Sequence, residues 1–242
     1  MITSATNLPE QFEKNLNSRS DFLTQKIKSE HRSDNSMILN NFYCFDDKAL
    51  MVMGENMTVS GDLTDDDMEE LLSFCQFLGI YGLESKQENL LPADKTVMNL
   101  MKYTADSHAC CDEIIKNENI YQFSQFSSDN FSGVSFNTIY SYFARKVNRG
   151  VSDIYYLTVD GKIVSGALAT RFDDSVYLTF VSTAKRYRKQ GLAKKVINHI
   201  ISQNTHTDVI LMCENELIPF YQNLGFEKTG ETYLYKLRTE HI

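Results

Sequence analysis

The sequence predicts a mixed α/β fold, a mostly antiparallel twisted sheet flanked by helices. Three observations carry that reading. Ile154–Val159 and Ile163–Ala169 are strand-like runs joined by Asp160-Gly161, a strong two-residue hairpin signal. The apolar run Asp208–Glu214 has the length of a buried strand and follows a stretch with helical spacing of Ala193, Val196, Ile197 and Ile200. Further helical patterns stop at glycines, at Gly79, Gly150 and Gly225.

Taken in order, Phe42–Val52 reads as strand, aspartate turn, lysine and strand. Thr64–Gly79 is a helix with Thr64 as N-cap, acids in the first turn and Gly79 at its end. "IYGLES" and Lys95–Tyr103 add strands. Phe136–Gly150 is an amphipathic helix, followed by the hairpin and, after the turn at Asp173-Asp174, by a third strand over Ser175–Val181. A helix then begins near Gln190, Asp208–Glu214 returns as a strand, "NELIPFYQNLGF" is helical up to Gly225, and "TYLYKLR" closes as a strand. The second half thus holds a strand–helix–strand unit at its centre.

With 42% hydrophobic and 12% aromatic residues, the 242-residue chain can bury a core. No apolar run approaches the roughly 18 residues that span a bilayer, and "MITSATNLPEQFEK" has neither a basic leader nor an apolar signal core. A soluble cytoplasmic protein is expected. Cys44, Cys75 and Cys213 sit among apolar neighbours and read as small core residues. "SHACCDE" around Cys110 and Cys111 gathers His and Cys, yet no second ligand pair accompanies it, and no metal is expected.

The net charge of −8 is unevenly spread. Residues 1–130 carry 10 Lys/Arg against 22 Asp/Glu, and residues 131–242 carry 14 against 10. Six of the cations lie between Lys185 and Lys195, and no acid occurs from Val176 to Thr207. A solvated face is the ordinary source of a charge run, but this one borders a glycine and a helix start. Backbone N–H groups without intrahelical partners and the helix dipole make such a start an anion site. Gly191 removes a side chain that would block close backbone approach to a phosphate, and Ala193 keeps the next turn small. A diphosphate fits this chemistry. Neither the Walker pattern nor G-x-G-x-x-G is present. A nucleic-acid partner fits poorly with an acidic chain that has no second basic patch.

Arg188-Lys189-Gln190-Gly191-Leu192-Ala193 matches R/Q-x-x-G-x-G/A, and about thirty residues later Tyr221 precedes the pair Gly225-Phe226. In that order, on those elements, the two motifs resemble the GNAT N-acetyltransferase superfamily over roughly residues 120–242. The resemblance implies that backbone groups of Val181, Ser182 and Thr183 pair with the pantetheine arm of acetyl-CoA. It implies that backbone N–H groups from Arg188, Lys189, Gln190, Gly191, Leu192 and Ala193 to Lys194 hold the pyrophosphate. It makes Tyr221 the general acid that protonates the departing thiolate during direct attack by an amine. Where the family often has an asparagine seven residues before the tyrosine, this sequence has Glu214, with Asn215 one step later. No general base stands on Ser175–Thr183, which leaves Glu214 as the nearest carboxylate or as a solvated strand end. Tyr221 beside Phe220 also reads as a core aromatic with its hydroxyl at the rim.

The strand–aspartate–lysine–strand pattern of Phe42–Val52 echoes Tyr156–Gly166, so residues 1–115 look like a degenerate second copy of the fold, or a separate α/β cap, before a GNAT-like domain over 116–242. Asp65, Asp66 and Asp67 open the first half's helix where a phosphate cradle needs glycine and cations. Two functions are therefore expected as alternatives: an N-acetyltransferase acting on a small-molecule or protein amine, and a non-catalytic CoA-binding module. No membrane partner is expected.

Overall fold

The computed structural model describes residues 1–33, 41–105, 113–131 and 133–237. The histidine and cysteine cluster around Cys110 and Cys111 lies outside them. The chain forms two compact units: residues 1–100 with 213–216 and 230–242, and residues 101–212 with 217–229.

In the first unit, β1 (Ile2–Ser4) leads into α1 (Pro9–Asn17) and α2 (Phe22–Ser33). Three antiparallel strands follow, β2 (Asn41–Phe45), β3 (Lys48–Met53) and β4 (Asn56–Ser60). Then come α3 (Asp65–Leu78) and β5 (Gly82–Ser85), which pairs parallel with β4. Successive side chains of a strand point to opposite faces, and β3 uses both. Ala49 and Met51 pack with Phe12, Leu16 and Ile27 of α1 and α2. Leu50 and Val52 pack with Met68, Leu71 and Cys75 of α3. As expected, Thr64 caps α3. Its hydroxyl accepts from the Asp67 N–H while the Asp67 carboxylate accepts from the Thr64 N–H, and Gly79 ends the helix in a left-handed conformation.

β6 (Lys95–Tyr103) gives residues to both units. The second unit repeats the order of the first: β7 (Ile115–Lys116), α4 (Ile120–Asn130), α5 (Phe136–Asn148), and the antiparallel β8 (Ser152–Val159), β9 (Lys162–Arg171) and β10 (Ser175–Thr183). Next come α6 (Leu192–Ser202), β11 (Asp208–Cys213), parallel to β10, and the short α7 (Ile218–Gln222). Phe123, Phe126, Ile139 and Phe143 of α4 and α5 cover Ile154, Tyr156 and Leu168. Val196, Ile197, Ile200 and Ile201 bury one stripe of α6, as the helical spacing predicts. His199 of the same helix sets its ring 5.9 Å from Tyr155.

The last strand, β12 (Phe226–Lys236), starts six residues before the expected "TYLYKLR" run, and its later part pairs antiparallel with β5. Among the described residues no helix is long and apolar enough to cross a membrane.

Candidate active site: a splayed strand and a glycine-capped helix

The site begins where β10 leaves β11. Parallel pairing between the two runs from Ser175↔Asp208 to Leu178↔Leu211 and then stops. On the other side, the register of β10 against β9 shifts between Thr179 and Ser182. Phe180 takes up the extra residue at φ +51°, a conformation uncommon outside glycine and a mark of strain for a bulky side chain. Its ring is held by Phe143 at 4.8 Å and Phe131 at 5.2 Å. A bulge fixed by aromatic packing thus turns the end of β10 away from its parallel neighbour. Val181, Ser182 and Thr183 are left with no strand partner on that side.

The Ser182 hydroxyl lies buried without a hydrogen-bond partner, as does that of Thr179. Buried polar groups are ordinarily satisfied, so an orphan lining a cavity fits a missing ligand. Ser165 secures the other edge: its hydroxyl donates to the Ser182 carbonyl at 3.0 Å and lies 2.9 Å from the Thr183 hydroxyl. Gly166 faces Ser182 across the ladder, and a Cβ there would stand 2.5 Å from the Phe123 ring, so the sheet passes under α4 only without a side chain.

After Thr183 a single 3-10 turn, Lys185–Tyr187, leads to the basic loop. The Arg188 Nε donates back to the Thr183 carbonyl at 3.0 Å, fastening the loop to the strand end. Lys189 at φ +62° and Gly191 at φ +77° both adopt left-handed conformations, and α6 begins at Leu192 with Gly191 as its N-cap, close to the expected start near Gln190. A Cβ on Gly191 would meet nothing within 4 Å. The glycine therefore serves the backbone turn, and the space beside it is open for a ligand. The first helical hydrogen bond runs from the Lys195 N–H to the Gly191 carbonyl at 3.1 Å. The N–H groups of Leu192, Ala193 and Lys194 precede it, at the positive end of the helix dipole.

These elements enclose a cavity of about 430 Å³. Of the residues named from sequence, it brings together Val181, Ser182, Thr183, Arg188, Lys189, Gly191, Leu192, Ala193, Lys194 and Tyr221. Tyr221 is buried on α7, its ring edge-on to Phe220 at 5.0 Å and to Phe226 at 5.8 Å. Two named residues do not line the cavity. Gln190 turns its amide toward the Arg186 carbonyl at 3.4 Å. Glu214 follows β11, is exposed and falls in the first unit. Asn215, next to it, accepts from the Asn99 side chain at 2.9 Å.

Sequence reading missed Asn130, Phe131, Tyr187, Leu217 and Phe220, which complete the wall. Phe220 carried a signal, its place one residue before Tyr221. Asn130 and Phe131 carry none: they stand at the end of α4, whose buried face mixes serines with phenylalanines. Among the described residues no carboxylate lines the cavity. Among the described residues no group of three or more His, Cys, Asp or Glu is placed to hold a metal ion. The walls combine backbone donors and cations at one end with apolar side chains and a tyrosine at the other. That suits a ligand with an anionic head and a long, amide-bearing arm.

Known proteins share the fold. Residues 112–236 match the family model described as "Acetyltransferase (GNAT) domain". A GNAT-family acetyltransferase from Colwellia psychrerythraea is 13% identical, with a TM-score of 0.63 over 98% of this chain and 100% of that one. A GCN5-related N-acetyltransferase from Kribbella flavida is 12% identical, with a TM-score of 0.59 over 88% of this chain and 97% of that one. A tandem GNAT protein from the clavulanic acid biosynthesis pathway is 9% identical, with a TM-score of 0.61 over 98% of each chain. At such identities the structures share the fold. With the family model covering more than half of the sequence, and with β10, Gly191 and Tyr221 meeting at one cavity, the chain belongs to the GNAT acetyltransferase family.

Proposed function

We propose that this protein is an acyl-CoA-dependent N-acyltransferase that moves an acetyl group from acetyl-CoA to a primary amine. One observation carries the reading: the freed edge of β10 and the Gly191-capped start of α6 line the same cavity as the Tyr221 ring. The donor's pantetheine arm would pair along Val181–Thr183 and fill the need of the Ser182 hydroxyl. Its pyrophosphate would sit on the N–H groups of Leu192–Lys194 among Arg188, Lys189 and Lys194.

The acceptor nitrogen attacks the thioester carbonyl, a C–N bond forms and the C–S bond breaks. Tyr221 gives its phenolic proton to the departing sulfur. The proton lost by the amine passes to water, since no carboxylate lines the cavity among the described residues. A positioned general acid contributes about 10²–10⁴-fold. Residues 116–242 are the transferase portion in this reading, and residues 1–115 a degenerate copy that takes no CoA. The protein works in the cytoplasm, without nucleic acid or membrane, on a small-molecule or protein amine.

The same missing carboxylate favours a second reading, a CoA-binding module that has lost turnover. Thiol release from acetyl-CoA against a panel of amines, run beside calorimetry with CoA, separates the two. Amine-dependent release supports the transferase. CoA binding without release on any amine supports the module.

A further inference from the structure

A second and larger cavity, about 680 Å³, lies in the same unit as the first. Part of its wall is apolar: Phe126, Ile163 and Ala184 line it, and all three pack in the core beneath α4 and α5. Its rim is charged. Lys162 of β9, with Lys185 and Arg186 of the 3-10 turn, stands against one carboxylate, that of Asp129 on α4. Asp129 is engaged along its own helix, where it accepts from Gln125 Nε2 at 3.0 Å. The cavity therefore keeps an excess of positive charge.

Asn130 lines both cavities, and its Nδ2 donates to the Phe126 carbonyl at 2.7 Å, which fixes the side chain at the junction. A molecule whose body fills the larger cavity extends one end past Asn130 toward Val181 and Tyr221, which line the first. Two arguments define that molecule. A positive field gathers anions and opposes polycations, so the body that suits this cavity carries a carboxylate. The attacking nitrogen must also be unprotonated, and among the described residues no carboxylate lines the first cavity to take its proton. Neighbouring cations disfavour an ammonium. An α-amine, with an ordinary pKa of about 8, reaches the free form near neutrality far more readily than a lysine-type amine at about 10.4.

We propose that the acceptor is an α-amine on a carboxylate-bearing body, an acidic amino acid or short acidic peptide. Its carboxylate sits on Lys162, Lys185 and Arg186, and its nitrogen at the Asn130 junction. The inference rests on the transferase reading above and narrows the acceptor to one chemical class.

Thiol release from acetyl-CoA by the full chain tests it, with glutamate, glycylglutamate, glycylglutaminamide, glycyllysinamide and spermidine as acceptors. The three peptides share one amine and differ in the charge of the body. Glycylglutamate is expected to exceed glycyllysinamide about tenfold or more in kcat/KM, the scale of hydrogen bonds to a charged group. The neutral peptide should fall between them, and the gap should close at high salt. Glutamate turned over as well as glycylglutamate assigns the free amino acid, and glutamate ignored assigns the peptide. Lys162→Glu and Arg186→Glu should each raise KM for glycylglutamate and narrow or reverse the order. Their kcat, CoA affinity by calorimetry and melting temperature should hold. Equal rates on the three peptides, or a preference for glycyllysinamide or spermidine, overturn this assignment alone. Loss of CoA affinity in the folded variants does the same, because the cations would then serve the donor. No release on any amine, with CoA bound, overturns the transferase reading and this one with it.

Discussion

The Gln87 side chain holds Leu63 from both directions: its carbonyl oxygen accepts from the Leu63 N–H at 2.6 Å and its amide donates to the Leu63 carbonyl at 2.9 Å. Leu63 lies between β4 and α3, the place that the basic loop occupies between β10 and α6 in the other unit. Gln87 lies just beyond β5, the strand parallel to β4. Where the second unit leaves backbone groups free at the end of its parallel pair, the first unit uses them on its own side chain. Acids Asp65, Asp66 and Asp67 then open α3 in place of a glycine and cations.

One CoA per chain is therefore expected in a calorimetric titration of the wild-type protein. Two equivalents would show that the Gln87 contact yields to ligand and that the first unit keeps a working site.

Gly191→Glu should abolish CoA binding with the fold largely intact. The new side chain would enter the open space beside the loop, add a negative charge to an anion site and strain a backbone at φ +77°. A folded variant with unchanged CoA affinity would remove the pyrophosphate from this loop.

Asp67 ties α3 to pH. Burial alone would raise its carboxyl, but hydrogen bonds from Thr64 and the Lys48 ammonium at 3.2 Å outweigh it and hold the group below the ordinary aspartate value. A depressed carboxyl stabilises the fold above the unfolded value and loses that contribution as pH falls through the folded one. Asp67→Ala should cost about 0.5–2 kcal/mol near neutrality, as lost caps do. The gap to wild type should narrow in acid, with CoA affinity untouched throughout. Denaturant melts at several pH values check this, and a gap that is flat with pH would contradict the role given to the charge.

Cys75 is fully buried, and burial pushes its thiol up to about 12. Thiolate is the reactive form, so Cys75, with buried Cys44 and Cys213, should resist a maleimide at pH 8 until denaturant is added. Peptide mapping of labelled native protein reads this directly, and rapid native labelling of Cys75 would mean that α3 opens readily from β3 and β5.

Much of this was legible in the sequence. The hairpin at Asp160-Gly161, the capped α3 and the basic helix start are local signals, each carried by a few adjacent residues, and the structure holds all three. α1, α2 and α4 were not legible, and their burial explains it. α2 buries Thr24, Gln25, Ser29, Glu30 and Ser33 beside only two aliphatics, so it shows no apolar stripe. α4 buries Ser124 and Ser127 between Phe123 and Phe126, and the Ser124 hydroxyl bonds back to the Ile120 carbonyl at 2.7 Å. The Phe180 bulge is set by distant aromatic partners, and nothing in "SVYLTFVST" announces a left-handed phenylalanine. Glu214 reads as the nearest carboxylate because it follows β11 in sequence; in the structure it is exposed.

The most direct test is amine-dependent thiol release from acetyl-CoA by Tyr221→Phe beside wild type. The substitution keeps the ring that packs on Phe220 and Phe226 and removes the phenolic proton. At equal CoA affinity and melting temperature, turnover on any accepted amine should fall about 10²–10⁴-fold. Wild-type turnover in the folded variant would show that water protonates the thiolate and that Tyr221 is only a wall of the cavity.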